Sequence, residues 1–242
     1  MRAGSVIAAR PDNHRERGGS NPTSALQLIR VQPVPLTVAK TLLIRNHYLH
    51  SIPGGTALTF GVFRGPRLLG ALSLGVGPKN AHRLVDGAAP DDCLTLTRLW
   101  LSEELPHKSE SRVIGVVRRE IRRHTNLKFL LTYADPAQGH VGVIYQATGW
   151  LYTGTSQATP LVDLGDGVAR HTRSLSHVFG THSLEHFKSH GVTASLVPQA
   201  AKHRYVYFLE ASWQERLNVP VLPYPKLNID ATENGGVEHE DR

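Results

Sequence analysis

Cysteine is nearly absent from this chain of 242 residues, and Cys93 stands alone. A single thiol excludes an intramolecular disulfide and any cluster of thiolate ligands, so a metal would have to be held by His, Asp, Glu or Tyr. Cys93 itself reads as a buried free thiol, with a thiolate nucleophile as the alternative. Long apolar runs are missing too: no stretch of about eighteen such residues occurs, which argues against a membrane-spanning helix. The N-terminal MRAGSVIAARPDNHRERGG is too polar and Gly-rich for the centre of a signal peptide, so the expected location is the cytoplasm. Acidic side chains are the scarcer charged class, 20 against 27 Lys and Arg, for a formal charge of +7. Such a balance favours an anionic partner, whether nucleic acid, a phosphorylated cofactor or an acidic surface. The final stretch DATENGGVEHEDR is acidic, so the body of the chain is more basic than the total suggests.

What is present suits one domain with an insertion, since 40% hydrophobic residues suffice for a core. Residues 1 to 24 carry turn-formers and charges without apolar periodicity and read as a disordered arm. LTVAKTLLIRNHY predicts a helix over 36 to 47, stopped by Pro53 and Gly54. Two β-rich runs around Arg64-Gly65-Pro66 predict a hairpin, and CLTLTRLWLS alternates like a strand. RVIGVVRREIRRHT predicts a helix with Val113, Val116, Val117 and Ile121 on one face, capped by Ser109 or Ser111. LKFLLTYADP reads as a strand buried in a sheet centre, GHVGVIYQATGW as a short helix, and LYTGTS and KHRYVYFLE as strands. Residues 160 to 201 form a polar, His-rich insertion whose clearest helix is SLEHFKSHG. The expected division is therefore a single domain over 25 to 215 and an extended or disordered acidic tail over 216 to 242. No internal repeat is evident.

The succession of LTLTRLWL, a helix, LKFLLTYADP and IYQATGW resembles the GCN5-related acyltransferase superfamily. Tyr145-Gln-Ala-Thr-Gly149-Trp150 has the spacing of that superfamily's Tyr-x-x-x-Gly-(Phe/Trp) ending, whose tyrosine often protonates the departing thiolate. Its usual pyrophosphate loop, (Gln/Arg)-x-x-Gly-x-(Gly/Ala), is absent, and HKSESRVIG stands in its place. A narrower resemblance rests on HYLHSIPGGTALTFGVF, TRLWL, HKSESRVIG, TYADPAQGHVGVIYQATGW and KHRYVYFL, in that order. Together they resemble the bacteriophage Mom family of DNA-modification proteins. The resemblance implies conversion of adenine in double-stranded DNA to N6-carbamoylmethyladenine, which shields phage DNA from restriction. It also implies iron and a small-molecule group donor, acyl-coenzyme A or another compound. The fold class expected is α/β (α+β): an acyltransferase-like mixed central sheet flanked by helices, with a polar insertion before the last strand.

Under that resemblance His47 and Tyr48 fall at active-site positions, and the Pro53-Gly54-Gly55 turn would let backbone approach a ligand. His47 would ligate metal or act as general base, and Tyr48 would bind Fe(III) or orient the base; taken alone, a His-Tyr pair at a helix end is more often capping and packing. Asp135 ends a buried strand at a proline, a usual place for a catalytic carboxylate, and it also suits a helix cap. It completes the metal set His47, Tyr48 and Asp135, with His140 as a further candidate. Arg98, if turned inward, needs an anion. Ser111 begins a helix whose N–H groups would receive an anionic donor, with Ser109 and Arg112 beside it, or it is an ordinary cap. Tyr145 is the candidate acid by analogy, or a core tyrosine. Arg118, Arg122, Lys202 and Arg204 could follow a DNA backbone, although a solvated face explains the helical pair equally well. His182 and His186 are a possible metal pair. Trp100, Trp150 or Tyr48 could stack on an extruded adenine. The rival readings are a conventional acyl-coenzyme A-dependent N-acyltransferase and a DNA-binding protein without catalysis.

Overall fold

The computed structural model describes residues 28 to 226. The expected arm over residues 1 to 24, and the tail beyond residue 226, fall outside the described residues. The first element is β1 (Ile29–Pro33), a short edge strand whose IRVQ alternates over only four residues; it forms because β2 (Thr56–Arg64) offers a partner, pairing Val31 with Val62. Between them lies α1 (Leu36–Asn46), where Ala39 and Leu43, one turn apart, are fully buried against Ala71. The helix stops at His47, whose backbone is extended, and the His50 ring is hydrogen-bonded to the Ile44 carbonyl at 3.0 Å, so His50 serves as a C-terminal cap. Hairpin β2–β3 (Arg67–Gly75) turns at Gly65, which takes the positive φ of 60° that this tight reversal requires.

Next comes β4 (Cys93–Leu101), then α2 (Ser109–His124). Val113, Ile114, Val117 and Ile121 pack against Leu72, Leu74 and Leu130; Ile114, rather than Val116, completes the buried face. Full burial of each such side chain contributes about 1.5–3 kcal/mol before entropy is counted. β5 (Phe129–Ala134) is apolar on both faces because α2 covers one and a second cluster, Val85, Phe129, Leu131 and Val206, covers the other. The following helix, α3 (Val143–Gln146), is only 4 residues long, bounded by Gly142 and Gly149 at positive φ.

After β6 (Leu151–Thr155) the insertion builds β7 (Leu161–Asp163), β8 (Ala169–Arg170), α4 (Thr172–Phe179), α5 (Leu184–Ser189) and β9 (Ser195–Val197). These strands form their own sheet in the order β8-β7-β9, over a core of Val162, Leu175, Phe187 and Ala194. β10 (His203–Phe208) then returns to the main sheet, which runs β1-β2-β3-β4-β5-β10-β6. Only β4 and β5 pair in parallel; the rest is antiparallel. The expected mixed sheet flanked by helices is what forms. Past a 3-10 turn (Ala211–Arg216), the chain lies along β6, with Leu222 N–H donating to the Tyr152 carbonyl at 2.9 Å and Tyr224 hydroxyl to the Trp150 carbonyl at 2.9 Å. Among the described residues, no helix is long and apolar enough to cross a membrane.

Gly142 joins fold to site, because its φ of 82° starts α3 and a Cβ there would lie 2.5 Å from the Tyr205 ring. Gly142→Ala should lower stability by about 3 kcal/mol, adding overpacking to the left-handed penalty. Gly139→Ala, at φ 69° with nothing within 4 Å of the new Cβ, should lose only about 1 kcal/mol. Urea unfolding of both variants checks the difference; equal midpoints would refute it.

Candidate active site

The parallel pairing of β4 with β5 lasts from Cys93–Phe129 to Leu96–Thr132 and then ends. At the same level β4 carries a bulge, since Ser73 opposes Arg98 while Leu74 opposes Leu96, leaving Thr97 as the extra residue. The bulge re-aims the strand. Leu96 packs in the core under α2, whereas Arg98 reaches the α1 side and donates from Nε to the Ser51 carbonyl at 2.9 Å and from Nη1 to the Thr97 carbonyl at 2.7 Å. Arg98 is thus turned inward, and backbone carbonyls, rather than a carboxylate, receive its hydrogen bonds. The carboxyl ends of two diverging parallel strands form the usual crevice of a sheet with helices on its faces.

His47 enters this crevice from the end of α1 and is 7% exposed. Its Nδ1 accepts the Leu49 N–H at 3.2 Å. An imidazole whose Nδ1 is an acceptor carries its hydrogen on Nε2 when neutral, so the other ring nitrogen is a donor. Burial first, then the neighbouring Arg98, His140 and His50 charges, lowers its pKa from 6.5 to about 4. Tyr48 stacks on the imidazole with ring centres 4.4 Å apart, and its other side meets the His140 ring edge-on at 6.1 Å. Desolvation and the Asp135 charge raise the Tyr48 phenol, opposed by Arg98.

Asp135 immediately follows β5 and is buried, with Oδ1 accepting the Ala137 N–H at 3.1 Å. Its carboxylate thus caps the turn Pro136–Gln138. The second oxygen lies 2.9 Å from Lys202 Nζ. Tyr145, on α3, packs against Trp150 and Tyr205 at 5.5 and 5.6 Å, and Thr132, the last residue of β5 paired with β4, is a polar neighbour that works against the rise of its phenol pKa. Burial is the main reason its pKa stands above 10.0, and the Tyr48 phenol adds to it. Electrostatic contacts therefore run from Tyr145 to Tyr48, from Tyr48 to Asp135 and Arg98, and from Arg98 to His47.

Other expected residues go elsewhere. Ser109 donates its hydroxyl to the Pro106 carbonyl, so it does not cap α2; Lys108, in the left-handed conformation, occupies the cap position without a side-chain bond. Ser111 and Arg112 lie in the first turn, and no hydrogen bond or ion pair joins them to the His47–Asp135 group. Arg112 Nε is buried with no hydrogen-bond partner, an unmet demand consistent with an anionic donor group. Arg118 does not follow an outer surface: its guanidinium lies over the Tyr207 ring at 3.9 Å and donates to the Thr148 carbonyl. Arg204 is likewise occupied, donating to Thr153 Oγ1 at 2.9 Å and its carbonyl at 2.8 Å. Lys202 belongs to Asp135, which leaves Arg122 as the exposed cation of the four. Trp150 is buried, which removes it as a platform for a base. Cys93 is buried with its pKa pushed up to about 11, which removes the nucleophile reading. Sequence reasoning missed Ser51, Thr132 and the role of Lys202; only Thr132, a polar residue within an apolar strand, left a signal.

The expected metal set was His47, Tyr48 and Asp135, and as folded these residues do not fit iron. Asp135 already neutralises Lys202, Arg98 adds positive charge beside His47, and the neutral imidazole presents Nε2–H rather than a lone pair. Among the described residues, no three His, Cys, Asp or Glu side chains gather as a metal site. His182 precedes α5 and meets Ser176 Oγ at 2.7 Å, while His186 stacks near His190, so they are not a pair one helical turn apart.

Two parallel strands that part inside a mixed sheet, with titratable groups gathered where they part, make a candidate enzyme active site. An N-acetyltransferase from Staphylococcus aureus Mu50 superposes on 75% of this chain and 97% of its own, at 13% identity and a TM-score of 0.41. The ribosomal-protein-S5-alanine acetyltransferase from Vibrio fischeri does so over 76% and 94%, at 10% identity and 0.45. The chain belongs to the Mom protein family, whose model matches residues 28–226. It is 28% identical over 204 residues to the methylcarbamoylase Mom of Escherichia phage Mu, covering 82% of this chain and 84% of that protein.

The His47 environment has a consequence for stability. Below about pH 6.5 the unfolded chain binds a proton at His47 that the folded chain does not bind until about pH 4, so stability should fall as pH drops through that window. His47→Gln should flatten this part of the curve when unfolding midpoints are compared between about pH 7 and about pH 4.5. An unchanged slope would mean that the imidazole protonates freely.

Proposed function

We propose that this protein modifies DNA by attaching a carbamoylmethyl group to N6 of adenine, giving phage DNA protection from restriction. The observation that carries this reading is the gathering of His47, Tyr48, Arg98, Asp135 and Tyr145 around the β4–β5 opening, inside the span that belongs to the Mom family. Membership of that family, and 28% identity to a protein named a methylcarbamoylase, support the substrate and the group transferred.

The product joins N6 to a methylene carbon, so the N6 lone pair forms the new bond while the bond from that carbon to a leaving group breaks with its electron pair. Asp135 suits acceptance of the N6 proton, since each carboxylate oxygen keeps a lone pair beyond its present bond. Tyr145, held protonated by burial, suits delivery of a proton to the departing group. His47 keeps its Nε2–H at neutral pH and would donate to the carbamoyl oxygen of the donor rather than act as a base. Arg98 holds the His47–Ser51 turn against β4. In duplex DNA the adenine must first leave the stack. Tyr48, 41% exposed at the rim, supplies an aromatic face for it. The donor is a small molecule, and the first turn of α2, with Ser111 and Arg112, is the candidate place for its anionic part. Arg122 is the candidate phosphate contact on the same helix.

Mass spectrometry of nucleosides from DNA of cells producing the protein should reveal a deoxyadenosine heavier by a carbamoylmethyl group. Asp135→Ala and Tyr145→Phe should each reduce it by about a hundredfold or more. Unmodified DNA from cells containing soluble wild-type protein would refute the reading. Full modification by both variants would refute the assigned roles.

A further inference from the structure

Lys202 closes the insertion immediately before β10, a position from which most lysines would extend into water. Its Nζ instead lies 2.9 Å from Asp135 Oδ2, with side-chain exposures of 23% and 10%. An ion pair this enclosed surrenders hydration on both sides and rotamer freedom in the lysine, so it is a weak stabiliser of the fold. Its backbone is clamped as well. The Lys202 N–H donates to Ser156 Oγ at 3.0 Å, and the Lys202 carbonyl accepts the Ser156 N–H at 2.8 Å. These two bonds close the neck of the insertion, where β6 leaves the main sheet and β10 rejoins it. The neck therefore presents a cation to one carboxylate oxygen while the Ala137 N–H holds the other.

Resting on the function proposed above, we propose that Lys202 is a positioning residue for the reaction: clamped by Ser156, its ammonium fixes the Asp135 rotamer and balances its charge, so that a free carboxylate lone pair meets the exocyclic amine of the base. The same pair makes the insertion part of the site, because the residue that orients Asp135 is held at the insertion's own neck. A lysine that followed the DNA backbone would act differently. Its loss would weaken DNA binding and reduce the salt dependence, whatever the state of Asp135.

The test compares Lys202→Met, Lys202→Arg, Asp135→Asn and the double variant Lys202→Met/Asp135→Asn. The readouts are the modified deoxyadenosine fraction in cellular DNA, melting of the purified proteins, and the salt dependence of binding to a DNA duplex. Lys202→Met should lose about a hundredfold in modification, because a carboxylate displaced by about 1 Å no longer meets the amine. Its melting temperature should fall, because the Asp135 carboxylate is left unpaired, and the double variant, which removes both charges, should regain most of that fall; the salt dependence of Lys202→Met should be unchanged. Lys202→Arg should recover at least about tenfold of that loss by restoring a cation, and the double variant should be no worse than Asp135→Asn. Wild-type modification by Lys202→Met would overturn the proposal. So would equal losses in the Met and Arg variants, or a reduced salt dependence. Unmodified DNA from wild-type cells would remove the underlying function and this proposal together, a result distinct from failure of the Lys202 variants alone.

Discussion

The parallel hydrogen bonding between β4 and β5, which ends after Leu96 and Thr132, is the constraint on which the site depends. Two strands that part inside a sheet leave backbone groups needing partners, and buried groups of that kind seldom stay unpaired. Two carbonyls at the parting are answered locally. The Asp135 carbonyl takes the N–H groups of Gln138 and His140 at 3.0 and 3.1 Å, and the Thr97 carbonyl takes the Arg98 guanidinium. The Thr97 bulge turns Arg98 toward the end of α1, where it secures the turn that presents His47 and Tyr48. The opening is consequently a stable part of the sheet, with catalytic candidates at its edges.

Electrostatics give the opening its chemical character. One carboxylate is in direct contact with Lys202, while Arg98 acts on Tyr48 and His47 from the other strand. Desolvation keeps the imidazole neutral and both phenols protonated, leaving Asp135 as the anionic acceptor among donors. Perturbed groups collected in a crevice mark functional sites more often than structural ones. That division of roles suits transfer to a weakly basic amine, where one proton is removed and another supplied.

Legibility in the sequence varied with the range of the interactions involved. The Gly65 turn and the spacing of Val113, Val117 and Ile121 depend on neighbours within a few residues, and they were readable. Asp135 was readable because an apolar strand halting at proline is a local pattern. β1 and the small β8-β7-β9 sheet were not, since strands of 5, 2 or 3 residues form only where a partner edge is offered. Charge was the least informative signal. Arg118, Lys202 and Arg204 read as surface cations, yet an aromatic ring, a carboxylate and a strand carbonyl engage them.

By itself the sequence determined which segments alternate, where chain direction breaks, and which residues with reactive side chains lie beside those breaks; it also carried the motif order of the Mom family. Tertiary structure alone decided that β10 enters between β5 and β6, that the insertion closes at Ser156 and Lys202, and that His47 meets water so little that it stays neutral. The physical reason is that periodicity and turn chemistry act through adjacent residues, whereas burial, ion pairing and desolvation depend on groups brought together from distant parts of the chain.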